Sequence, residues 1–130
     1  MTTSKVTYLG DLRTSSVHIQ SGSEIISDAP IDNNGKGEAF SPTDTVANGL
    51  ASCMFTMMGI KARDMEIDLS GSTAEVTKVM AAEPRRISEI HVTFNLDVLV
   101  DVFFFLLIDL GLILILDSSY ILYISFEFNL

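Results

Sequence analysis

The sequence holds a single thiol, Cys53, within residues 40–60, FSPTDTVANGLASCMFTMMGI. A lone cysteine in such a segment either packs as a small apolar side chain or supplies a thiolate nucleophile. The second role needs help, because a free thiol ionises only near pH ~8.5 and the protonated form attacks poorly. Ser41, Pro42 and Asp44 form a helix start: a cap hydroxyl, a proline at the first helical position and an acid three residues after the cap. Beyond it Val46, Ala47, Leu50, Cys53, Met54, Met57 and Met58 recur at helical spacing. The predicted helix runs from 42 to 62 or 63, with Lys61 and Arg63 where a helix C-terminus favours positive charge. Cys53 lies more than two turns in, beyond the reach of the N-terminal dipole, so an activating cation has to come from elsewhere in the fold.

Other residue types that could do chemistry are sparse. His18 and His91 fall on separate strand candidates without ligand spacing, so no metal site is expected. Residues 28–38, DAPIDNNGKGE, are rich in Asp, Asn, Gly and Pro and read as a loop, with Asn34-Gly35 suited to a tight turn. The spacing of that loop matches no phosphate-binding motif, and no cofactor is expected.

The elements that must position Cys53 follow from short patterns. Residues 5–9, 12–20 and 24–27 read as three strands joined by tight turns at Gly10-Asp11 and Ser21-Gly22, an antiparallel meander. After the helix, 65–80 alternates loosely around Ser70-Gly71-Ser72, as a pair of strands or one strand with a bulge. A turn at 83–86 leads to 87–96, where Ile87, Ile90, Val92, Phe94 and Leu96 mostly share a face. The expected class is α+β: a single domain over 1–130 in which one long helix packs on antiparallel sheet.

Composition narrows the partners. The net charge of −9, with eight Lys and Arg residues scattered from Lys5 to Arg86, disfavours nucleic acid and anionic membranes. One cysteine excludes an intrachain disulfide framework and fits a reducing compartment, and residues 1–12 lack the apolar run of a signal peptide. The expected location is cytoplasmic.

Three segments together carry a resemblance: LRTSSVHIQSG, ISDAPIDNNGKGEAFSPTDTVANGLASCM and EPRRISEIHV. Over roughly 3–96 the chain resembles the OsmC/Ohr family of cysteine-based peroxidases, closest to the small OsmC-like branch. The resemblance implies an intertwined homodimer with active sites at the subunit interface, and reduction of organic hydroperoxides or hydrogen peroxide. It puts Cys53 in the place of the peroxidatic cysteine and Arg13 in that of the arginine that holds the thiolate and orients peroxide. Asp44 takes the place of the acid that pairs with this arginine. Arg13, always charged and forked, suits the cation that Cys53 needs. Asp44 precedes Cys53 by nine residues, which on one helix means the opposite face and ~13 Å, so the partner subunit has to supply it. Met54, Met57 and Met58 suit either core packing or an apolar channel for a lipid-like hydroperoxide. The alternative is a catalytically inactive OsmC-like binding or structural protein with Cys53 as a buried packing residue.

Residues 97–130 depart from the family pattern, which places a resolving cysteine there. They contain no Cys, Lys, Arg, Pro, Ala, Met or Thr and are strongly apolar. Three readings apply: a membrane span at 98–116, broken by Asp101 and Asp109; a folded tail with a helix ended by Gly111 and a closing strand at 120–130; or an altered reading frame after about Leu96. Without a second cysteine, Cys53 depends on an external thiol or a lipoyl- or thioredoxin-type reductant.

Overall fold

The computed structural model describes residues 1–97 and 121–127. The elements are β1 (Ser4–Gly10), β2 (Arg13–His18), β3 (Glu24–Asp28), a 3-10 turn (Ile31–Asn33), α1 (Pro42–Asp64), β4 (Thr73–Ala81), β5 (Arg86–Asn95) and β6 (Ile121–Glu127). The α+β class expected from the sequence is the one observed, with two three-stranded antiparallel sheets, β1-β2-β3 and β4-β5-β6. The chain divides into two compact units, Met1–Val46 and Ala47–Leu130.

In the first unit the meander is closed by two tight turns. Asp11 and Leu12 both adopt positive φ between β1 and β2, the twist a two-residue hairpin requires. At the second turn Gly22, at φ +73°, donates its N–H to the His18 carbonyl. The segment after β3 closes on itself: Asp28 N–H donates to Phe40 O, Gly35 N–H to Pro30 O and Gly37 N–H to Ala29 O. Gly35 is required there, because a Cβ would lie 1.7 Å from the Ala29 carbonyl oxygen.

In the second unit Ala47, Ala51, Met58 and Ala62 of α1 pack with Ile90, Val92 and Phe94 of β5 and with Leu96. Phe55 meets Phe94 edge-on, with ring centroids 4.8 Å apart. Of the two options left for 65–80, a single strand forms from Thr73, while Ile67 N–H caps the helix end at Ala62 O. The imperfect alternation of β5 is resolved by an irregularity. Val79 pairs with Glu89 and Met80 with Ile87, so Ser88 is the extra residue and Ile87 returns to the core side. Ser88 donates its hydroxyl to the Val79 carbonyl.

The sequence placed Val46, Cys53 and Met57 with Ala47 and Met58 on one apolar stripe. The structure corrects this: Val46 and Met57 are 58% and 51% exposed, and Cys53 is exposed as well. The helix is apolar on two faces, and the β5 contact selects the small residues, whose short side chains let helix and sheet approach. β6 lies within the closing strand expected at 120–130, pairing Leu122, Ile124 and Phe126 with Phe94, Val92 and Ile90 of β5. The membrane and helical readings of 98–116 fall outside the described residues. Among the described residues no helix is long and apolar enough to cross a membrane.

Candidate active site

Arg13 opens β2 and sits opposite Asp28, the last residue of β3, in the strand register. Residues paired across antiparallel strands project from the same face, and that places guanidinium and carboxylate together. Arg13 Nη2 donates to Asp28 Oδ2 at 3.0 Å and to Glu38 Oε2 at 2.5 Å. Asp28 Oδ2 also accepts the Glu38 backbone N–H at 3.0 Å, so one oxygen serves two donors. Asp28 is fully buried, and its Oδ1 has no hydrogen-bond partner among the described residues. The Glu38 N–H and then the Arg13 guanidinium hold the Asp28 carboxyl below the usual carboxylate range. Arg13 is pushed further towards its charged form, first by Glu38 and then by Asp28.

Asp44 forms the reciprocal cap that the sequence implied. Ser41 N–H donates to Asp44 Oδ2 at 2.8 Å, and Asp44 N–H donates to Ser41 Oγ at 3.1 Å. Ser41 is buried, so the cap is shielded from competing water.

Cys53 sits midway along α1 with its side chain exposed, which removes the buried-packing alternative within this chain. On a helical projection it shares a face with Val46, Gly49, Met57 and Ile60, the last 45% exposed. Of the three residues proposed from the sequence, Arg13 and Asp44 belong to the first compact unit and Cys53 to the second. The ion pairs of Arg13 among the described residues are with Asp28 and Glu38. Sequence reasoning missed both acids, which lay at the two ends of the segment read as a loop. The available signal was an acid ending a strand in register with an arginine. His18 Nδ1 bonds Ser21 Oγ at 2.7 Å, and His91 Nε2 bonds Glu89 Oε2 at 2.7 Å. No group of three or more metal-ligating side chains occurs among the described residues.

The long cysteine-bearing helix with antiparallel sheets, together with the capped SPTD start, defines a class. The family model of OsmC-like proteins matches residues 35–101, and the chain belongs to that family. It is also similar, at 64% identity and a TM-score of 0.77, to a crystal structure from Psychrobacter arcticus 273-4. That match covers 82% of this chain and 79% of the other, a protein suggested to be an osmotic stress induced and detoxification response protein. No curated protein matches the chain.

Proposed function

We propose that this chain is a thiol-dependent peroxidase that reduces organic hydroperoxides or hydrogen peroxide through the Cys53 thiolate. The observation that carries this reading is an exposed Cys53 on the central helix of a member of the OsmC-like family. The thiolate attacks the distal peroxide oxygen, the O–O bond breaks, an alcohol or water leaves with one proton, and Cys53 becomes a sulfenic acid. An external thiol, or a lipoyl- or thioredoxin-type donor, then condenses with the sulfenic acid to release water. A second thiol equivalent restores Cys53, since the chain has one cysteine.

In this reading Arg13 stabilises the thiolate and orients the peroxide, and the partner subunit's Asp44 steadies Arg13 within an intertwined homodimer. The exposed apolar stripe of Val46, Met57 and Ile60 beside Cys53 supports a second copy as its cover. Stress defence in the cytoplasm is the role that fits, in keeping with the suggested role of the Psychrobacter arcticus protein.

The test is peroxide consumption with a thiol reductant by the parent and by Cys53→Ser. The parent is expected to turn over and the variant to fall to the uncatalysed rate. Equal rates in the two, or a parent whose Cys53 alkylates only with a midpoint at pH ~8.5 or above, favour an inert OsmC-like binding protein instead.

A further inference from the structure

We propose that Asp28 and Glu38 are positioning residues of unequal permanence: Asp28 anchors Arg13, and Glu38 competes with the Cys53 thiolate for its guanidinium. The inference rests on the thiolate reading above and adds the residues that govern how much of the Arg13 charge the thiolate receives. Asp28 is fully buried, and removing its cation would leave an uncompensated buried charge, so this half of the pair stays in place. Glu38 lies in the opposite situation. Its side chain is 63% exposed, and water can take over its half of the ion pair.

Two details of the hydrogen bonding point the same way. Both carboxylates accept from Nη2, so they share one nitrogen of a fork that offers five N–H donors. Meanwhile Asp28 Oδ1 is buried without a partner. A bidentate Arg13–Asp28 pair would satisfy that oxygen and leave the outer edge of the fork for an anion. Glu38 pulls Nη2 towards solvent and neutralises the charge. Release of Glu38 lets the guanidinium turn squarely onto Asp28 and face an incoming thiolate. The arrangement with Glu38 bound is thus a resting state with the activating cation occupied.

The experiment measures Cys53 alkylation by iodoacetamide against pH in the full chain, for the parent, Arg13→Met, Glu38→Gln and Asp28→Asn, with folding checked by circular dichroism. Arg13→Met is expected to raise the midpoint towards that of a free thiol. Glu38→Gln is expected to lower it by about half a pH unit and to speed a single turnover with tert-butyl hydroperoxide at neutral pH. Asp28→Asn is expected to move the midpoint up towards that of Arg13→Met. If Arg13→Met raises the midpoint while Glu38→Gln leaves it unchanged or raises it, this inference is overturned and the thiolate reading stands. If Arg13→Met changes nothing, the thiolate reading itself is overturned, and this inference with it. Should Asp28→Asn fail to fold, the exposed Glu38→Gln decides the matter alone.

Discussion

A carboxylate without exposed surface ends β3 and binds an arginine and a backbone N–H through a single oxygen. Because these partners favour the ionised form, the Asp28 carboxyl titrates lower in the folded chain than in the unfolded one. Its contribution to stability is therefore complete above the unfolded pKa of about 3.9 and fades as pH falls through the lower folded value. Thermal unfolding of the parent and of Asp28→Asn should show a constant gap in Tm from neutral pH down to about pH 5, narrowing below about pH 4. A gap that widens with acid would contradict the pairing. Arg13 was legible only through the family resemblance. Asp28 and Glu38 were not, because acids among Asn, Gly and Pro carry no periodicity and default to solvent. The bonds that turn the loop inward, such as Asp28 N–H to Phe40 O, join residues twelve apart in sequence. Gly35 makes the same point: Gly35→Ala should cost about 1–3 kcal/mol in denaturant unfolding, since the added methyl meets backbone that cannot yield.

Among the elements, α1 shows what patterning resolves and what it leaves open. Its start was readable, because a cap hydroxyl, a proline and an acid have local jobs that need no tertiary partner. Ser41→Ala should cost about 1 kcal/mol in chemical denaturation while leaving the alkylation midpoint of Cys53 in place, as a purely capping residue requires. The buried face was not readable, since apolar residues cover well over half of the helix circumference. The sheet decides it. Phe94, fully buried against Phe55, selects the alanine side of the helix, so Phe94→Ala should cost about 3–5 kcal/mol, the largest loss expected from a single truncation in this unit. The phase slip in β5 was equally hidden: Ile87 and Ile90 are three apart, and only the extra Ser88 opposite β4 puts both on the core side.

For the molecule as a whole, an apolar stripe left open on α1 and a net charge of −9 pull against each other. Burying an apolar side chain the size of Met57 or Ile60 is worth roughly 1.5–3 kcal/mol, which favours a second copy covering the stripe. Bringing together two chains of like charge opposes it, and salt screens that repulsion over about 8 Å at physiological ionic strength. An assembly driven by burial and opposed by charge tightens as salt is added, whereas one held by surface ion pairs loosens. Sedimentation at micromolar concentrations should therefore show a dimer whose dissociation constant falls between about 20 and 200 mM salt. Ile60→Glu, two turns from Cys53, adds a charge to the stripe and should shift the chain to monomer. The same variant should abolish the concentration dependence of Tm that a dimer of parent chains displays. If the active site draws Asp44 from the partner, Ile60→Glu should also slow peroxide turnover at low protein concentration, with recovery at high concentration. A parent chain that stays monomeric at every salt concentration would leave the stripe uncovered, and the shared active site would fall with it.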